Sequence, residues 1–209
     1  MKDWNQIFTE KGVIHKDPDK DLIKIIPLLK KYNVKKILDV GCGMGRHLLI
    51  LKNEGFEVYG CDISKKAIKS SSEIIDKKRL KLSDMSNLEY KDNSFDCIIS
   101  IAVIQHGKIS KIKKAISEIF RILKKGGVIF INTISDKDFS FRTGKEIEPN
   151  TRIGTEQLDG NITHHFFSEN EIKELFSDFE IISLEHNRRK SIQMPSRIRS
   201  AWILFARKK

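Results

Sequence analysis

Leu38-Asp39-Val40-Gly41-Cys42-Gly43-Met44-Gly45-Arg46-His47 is the stretch on which the fold turns. An apolar run of strand length, Lys36-Ile37-Leu38-Asp39-Val40, leads into it. A helical pattern carrying Leu48, Leu49 and Leu51 follows over residues 45–53. A glycine-rich turn between strand and helix lets backbone approach a ligand closely, because glycine has no Cβ and tolerates positive φ. The spacing is G-x-G-x-G. Arg46 stands where a dinucleotide fingerprint needs a third small residue, and the Lys-Ser/Thr of a P-loop is absent.

Outward from this turn, strand and helix patterns alternate. Residues 56–61 read as a strand, Ser64 as the cap of a helix to residue 77, and 80–83 as a weaker strand. Residues 95–101 read as a strong strand. Ser110 is expected to cap an amphipathic helix carrying Ile112, Ala115, Ile116, Ile119, Phe120 and Leu123. That helix should stop at Lys124-Lys125-Gly126-Gly127, before a strand over 128–132. Upstream, residues 1–16 read as an irregular arm with a helical turn at Trp4-Asn5-Gln6-Ile7-Phe8. A helix follows over 17–31, with Pro18 in its first turn and a kink at Pro27. Residues 135–165 hold the breakers Gly144, Pro149, Gly154 and Gly160 and read as a long inserted loop. A helix over 169–176 and strands over 179–185 and 202–206 close the chain. The connection over 186–201 is too short for a crossover helix, so these strands should pair antiparallel. The expected fold is α/β, a Rossmann-like doubly wound sheet of about seven strands, mostly parallel with an antiparallel C-terminal hairpin. Residues 1–34 are taken as an arm and helix acting as a lid, and 35–209 as the ligand-binding domain with a cap segment inserted at 135–165.

Acids recur at the carboxyl ends of the successive strands. Asp62 ends the second strand, about 20 residues after the loop, where an acid can bind ribose hydroxyls. Asp84-Met85 follows the third strand, and Ile101 ends the fourth. One such aspartate alone is an ordinary turn or cap residue. Together with the loop, the Asn93-Ser94-Phe95-Asp96 lead and the Leu123-Lys124-Lys125-Gly126-Gly127 turn, they resemble the class I S-adenosylmethionine-dependent methyltransferases, from residue 35 onward. The resemblance implies S-adenosylmethionine as cofactor and S-adenosylhomocysteine as product. It places the backbone of Gly41, Gly43 and Gly45 along the methionine part and Asp39 at its ammonium. It places Asp62 on the ribose with Ile63 on the adenine face, Asp84 and Met85 at the adenine, and backbone at Ile101 near the methionine end.

The sulfonium methyl of that cofactor is already activated, so alignment of an acceptor can suffice and a base is needed only when a proton must leave. His106 and Gln105, after the fourth strand, are the acceptor-side candidates for catalysis; each has a structural loop role as its alternative. His47 is a candidate wall of the methionine end or a packing residue. His164-His165, followed by Phe166-Phe167, are candidates for a pocket wall; they lack the carboxylate or cysteine partners of a metal site, and no metal is expected. Trp4, Phe8 and His15 equip the arm either to close over ligand or simply to dock. The absence of an Asn/Asp-Pro-Pro motif after the fourth strand counts against exocyclic amine or amide acceptors. The absence of a Pro-Cys or Thr-Cys nucleophile counts against pyrimidine C5 chemistry. The expected acceptor is a small molecule. RNA or protein methylation is the alternative, and a catalytically silent cofactor-binding module is the alternative of another class.

Composition bounds the partners. The chain has 209 residues, 39% hydrophobic and 32% charged, with a formal charge of +11. No apolar run reaches the roughly 18 residues that span a bilayer, and the start lacks the apolar core of a signal peptide. Three cysteines (Cys42, Cys61, Cys97) at no zinc spacing fit a reducing, cytoplasmic setting. Residues 186–209 contain eight basic residues and no acid. Arg188, Arg189, Arg197 and Arg199 are therefore candidates to meet a carboxylate, a phosphate or an RNA backbone, against the alternative of a solvated hairpin.

Overall fold

A computed structural model of the chain describes residues 3–12, 17–155, 162–191 and 194–209; His15 and Gly160 of the sequence reading lie outside them. The chain runs α1 (Trp4–Lys11), α2 (Lys20–Lys31), β1 (Lys36–Val40), α3 (Arg46–Asn53), β2 (Glu57–Asp62) and α4 (Lys65–Ser71). It continues with β3 (Leu80–Leu82), β4 (Phe95–Ile101), α5 (Ile109–Ile122) and β5 (Leu123–Ile134). A cap segment then forms β6 (Lys145–Glu148), β7 (Thr151–Ile153) and β8 (His164–His165), and α6 (Glu169–Leu175), β9 (Phe179–Lys190) and β10 (Ile198–Lys208) complete it.

The main sheet has the order β3-β2-β1-β4-β5-β10-β9. β1 to β5 are parallel, and β10 runs antiparallel to both β5 and β9. The order reverses between β1 and β4, which opens a crevice at the carboxyl ends of those strands. Ile37 and Leu38 of β1 and Cys97, Ile98 and Ile99 of β4 are all fully buried. Strands covered on both faces need this continuous apolar character. On one face Leu22, Ile26 and Leu29 of α2 and Leu48 and Leu51 of α3 pack on Ile37, Val58, Ile99 and Phe130. On the other, Ile112, Ala115, Ile116 and Ile119 of α5 and Ile172 of α6 pack on Leu38, Ile98, Ile129 and Leu204. The helix 20–31 is thus part of the sheet's cover. It runs through Pro27 without breaking; Ile23, whose carbonyl proline cannot serve, lies on the exposed side. Its cap is Asp19, one residue after Pro18, whose carboxylate accepts from the N–H groups of Asp21 and Leu22.

Several expected boundaries move. α5 starts at Ile109 with Lys108 as its cap, not at Ser110, because Glu148 of the cap segment takes the Ile109 N–H at 2.6 Å. The helix ends at Ile122 and the chain passes directly into β5, so residues 124–127 are strand rather than helix stop. Gly126 at φ +74° lets them bulge between the pairings Phe95↔Leu123 and Cys97↔Val128. α4 is short, ending at Ser71; a turn over 72–76 leads to a 3-10 helix over Lys77–Arg79, capped by Asp76. Residues 135–165 are not an open loop. A 3-10 helix, Phe139–Arg142, and an antiparallel sheet in the order β6-β7-β8 occupy about half of their described part. The terminal hairpin is longer than expected, and Arg188, Arg189 and Arg199 lie within its strands.

Candidate cofactor and acceptor site

The glycine turn is held by its neighbours. The N–H groups of Gly41 and Cys42 both donate to the Cys61 carbonyl, at 2.8 and 2.9 Å, so β1 and β2 stay tied one step past their ends. Gly43 N–H donates to Asp62 Oδ2 at 2.9 Å, and the Ser71 hydroxyl donates to the Gly43 carbonyl at 2.9 Å. Gly41 stands at φ +74°, and a Cβ there would fall 2.3 Å from a Val103 methyl. The loop after β4 therefore packs directly on the turn, and only glycine leaves it room. A Cβ on Gly43 (φ +53°) would instead meet the ring of Phe8 at 3.5 Å, so α1 lies over the turn.

Asp62 is 7% exposed. Burial raises its carboxyl from the ordinary 3.8 to about 6, against the N–H groups of Ser64 and Gly43, which favour the charged form. Ile63 beside it is 51% exposed, leaving its apolar side chain open to a planar ring. Asp39 on β1 is 1% exposed, and its Oδ2 has no hydrogen-bond partner. His47 Nδ1 stands 3.7 Å from that oxygen, while His47 Nε2 accepts the Asp19 N–H at 3.3 Å. A buried carboxylate oxygen without a partner is costly unless a cation or donor reaches it.

Asp84 follows β3. Burial works against its ionisation, but Lys111 of α5 at 2.6 Å and the N–H and hydroxyl of Ser86 outweigh this and hold its carboxyl below the ordinary range. Met85 is buried and packs among Leu88, Ile104 and other core residues. Ile101 closes β4; Ala102 takes φ +57° and donates its N–H to the Asn132 carbonyl of β5, turning the loop toward the crevice.

Past that turn, Gln105 and His106 part company. Gln105 is buried, and its Oε1 accepts from Ile134 N–H at 3.0 Å and from the Thr133 hydroxyl at 3.3 Å; it fastens the loop to β5. His106 is half-buried, and its Nε2 donates to the Ala102 carbonyl at 2.9 Å, which leaves Nδ1 as the acceptor nitrogen of the ring. Its ring stands edge-on between Trp4 of α1 and His164 of β8, each at 4.8 Å between centroids. Phe166 and Phe141 continue the aromatic wall. His165 takes a different part: Nδ1 accepts the Thr151 hydroxyl at 2.8 Å and Nε2 donates to Glu171 at 3.0 Å, bolting β7 and β8 to α6. No group of three His, Cys, Asp or Glu that could hold a metal occurs among the described residues. Cys42, Cys61 and Cys97 are buried free thiols, which burial pushes up and away from reactivity. No described helix is long and apolar enough to cross a membrane.

Some contributors escape a sequence reading. Asn5 of α1 accepts from the Ser64 hydroxyl and the Lys66 N–H, so the arm caps α4 beside Asp62. Lys111, Asp19 and Asn132 also meet site residues through long-range packing that no local motif marks.

The glycine turn, the acids at the strand ends and the sheet order resemble those of the class I S-adenosylmethionine-dependent methyltransferases. Residues 38–131 match the sequence family described as a methyltransferase domain. Among similar proteins, a tRNA N(3)-cytidine methyltransferase of Danio rerio is 33% identical over 167 residues, covering 72% of this chain and 46% of that protein. The chain spans less than half the length of the first curated relatives it matches. Of solved structures, a methyltransferase of Methanosarcina mazei superposes with TM-score 0.74 at 22% identity, covering 87% of this chain and 97% of that one. The 1,6-didemethyltoxoflavin N1-methyltransferase of Burkholderia thailandensis, bound to its acceptor and S-adenosylhomocysteine, gives TM-score 0.65 at 16% identity and covers 91% of this chain and 79% of that one.

The residues present fit that cofactor. The orphaned Asp39 oxygen suits an ammonium, and Asp62 beside exposed Ile63 suits ribose and adenine.

Proposed function

We propose that the chain transfers the methyl group of S-adenosylmethionine to a small-molecule acceptor held between α1 and the cap segment. The unsatisfied Asp39 Oδ2 beneath the glycine turn is the observation that carries the cofactor reading. When bound, the sulfonium supplies a methyl already activated toward displacement. Asp39 holds the ammonium, the backbone of Gly41, Gly43, Gly45 and Ile101 lines the methionine chain, and Asp62 accepts from the ribose hydroxyls. Ile63 and Met85 flank the adenine, with Asp84 at its amino edge through lone pairs that Lys111 leaves open. Trp4 and Phe8 close over the turn, which excludes water and fixes the acceptor for in-line attack; such positioning is worth roughly 7–11 kcal/mol of barrier.

The small-acceptor reading rests on enclosure. Trp4, His106, His164 and Phe166 pack ring against ring from α1, the β4 loop and the cap, with His164 and Phe166 fully buried, so folded segments close this side of the crevice against a polymer. His106 stands in that wall as the acceptor-side residue, and Gln105 holds the loop that carries it. Calorimetry with S-adenosylhomocysteine tests the cofactor site. Tritiated methyl label tests the acceptor: label in the small-molecule fraction of an extract supports this reading, and label in RNA or protein replaces it with polymer methylation. Binding without transfer to any fraction makes the chain a silent cofactor-binding module.

A further inference from the structure

The glycine turn, the ring wall and the α1 cover leave the arginines of the terminal hairpin unexplained. Arg189 of β9 and Arg199 of β10 are direct cross-strand partners and so share one face of the sheet. Asn187, two residues from Arg189 and on the same face, donates to Asp21 of α2 at 2.8 Å, so this is the face α2 covers. Both arginines therefore stand at the carboxyl edge of β5, beside the start of α2. Like charges placed opposite one another in a sheet oppose pairing. What compensates them is partial. Arg199 Nε reaches Asp138 Oδ2 at 3.2 Å, an oxygen that also accepts the Ser200 N–H, and its guanidinium lies over Phe139. Arg189 approaches Asp19 Oδ2 at 3.7 Å, beyond hydrogen-bond reach, and that oxygen already accepts from Asn132 at 3.2 Å. Their side chains remain 48% and 34% exposed. Arg188 and Lys190 flank Arg189 along the strand and point to the other face, and residues 186–209 contain no acid.

This pair is near the chemistry. Asp19 touches Arg189 with its carboxylate and His47 with its N–H, and His47 leads to Asp39. Asn132, which bonds Asp19 through its side chain, holds the loop of His106 through its carbonyl and Ala102. Planar guanidinium forks match the two oxygens of a carboxylate or phosphate. We propose that Arg189 and Arg199 form a recognition site for a carboxylate or phosphate group carried by the small acceptor, so that the acceptor is an anion anchored at the hairpin and presenting its nucleophile toward the His106 wall. The proposal rests on the methyltransferase reading for the direction in which the ligand extends, but the arginine site is testable by itself.

Arginine Nε resonances of the full chain, saturated with S-adenosylhomocysteine, would be followed while inorganic phosphate is added at fixed ionic strength. Saturable shifts at Arg189 and Arg199, weakened about tenfold in Arg189→Gln and in Arg199→Gln, are expected for a charge-assisted site. Linear shifts of equal size at Arg188, Arg197 and the pair would mean general screening and overturn the proposal. Saturable shifts at Arg46 alone would place the anion with the cofactor's own carboxylate and overturn it too. In parallel, unfractionated tRNA with tritiated cofactor separates the polymer case: RNA labelling that falls in both glutamine variants would assign the arginines to an RNA backbone. S-adenosylhomocysteine affinity is expected to be unchanged in both variants. Failure of the wild-type chain to bind S-adenosylhomocysteine would sink the methyltransferase reading, while the phosphate titration would still judge the arginine pair.

Discussion

Asp62 places charge where burial resists it, and on the proposed ribose assignment this couples cofactor binding to pH. A carboxyl raised from 3.8 to about 6 on folding holds its proton more tightly in the folded chain than in the unfolded one. The stability this confers is complete below the unfolded value and is lost as pH rises through about 6, on the order of 3 kcal/mol in total. Ribose hydroxyls at that position would donate to the ionised form and replace the lost hydration. S-adenosylhomocysteine affinity should therefore be flat above pH 7 and fall about tenfold per unit below the Asp62 value. A titration series by calorimetry across pH 5–8 checks this, and Asp62→Ala should both weaken binding by about two orders of magnitude and flatten the profile. A pH-independent affinity would remove Asp62 from the ribose. At Gly41 the consequence is structural. A methyl group there meets Val103 inside contact distance at a positive φ, so Gly41→Ala should cost about 1–3 kcal/mol in denaturant unfolding.

The cap is stapled to the body by side chains rather than by its own short strands. Thr151 and Glu171 clasp His165, Glu148 caps α5, and Asp138 takes the Ser140 and Ser200 N–H groups. Thr151→Val should loosen the His164–Phe166 wall while sparing the glycine turn: S-adenosylhomocysteine affinity stays near wild type and methyl transfer falls. Equal losses in both would mean that the cap serves the cofactor instead. The glycine turn, Asp62, Asp84 and the alternation of strands were legible because each is written in neighbouring residues. The cap sheet was not, since strands of two to four residues carry no measurable period. The start of α5 misled for a related reason. Ser110 is a good local cap, but Glu148 reaches in from a distant segment and satisfies Ile109 first. Lys124-Lys125-Gly126-Gly127 carries the signature of a helix stop, yet Leu123 and Val128 on either side pair with β4, so these residues form a bulge within the strand. The facing of Arg189 and Arg199 depends on hairpin register, which the cationic composition alone did not specify.

On the scale of the whole molecule, segments from opposite ends of the chain meet over one crevice. α1 brings Trp4 and Phe8, the cap brings His164 and Phe166, and α2 places Asp19 between His47 and the C-terminal hairpin. Their stabilities differ. The main sheet buries both faces, whereas α1 is eight residues long and has Ile7 as its buried residue. A helix this short is marginal alone, so its position depends on Asn5 at α4 and on ring contacts with His106. We propose that α1 opens by itself to admit cofactor and closes upon it, since Phe8 lies over Gly43. Ligand that binds the closed form must then stabilise α1 by mass action, by about 2.7 kcal/mol at a hundredfold excess over Kd. Amide exchange of residues 4–11 should accordingly slow about a hundredfold when S-adenosylhomocysteine is added at that excess. Exchange in β9 and β10, separated from β1 in the sheet by β4 and β5, should change little. Asn5→Ala and Trp4→Ala should each speed exchange of α1 in the free chain and raise the Kd for S-adenosylhomocysteine, because more closing free energy is then drawn from binding. If α1 exchanged at one rate with and without ligand, it would be a docked ornament of the domain and the crevice would fill from another side.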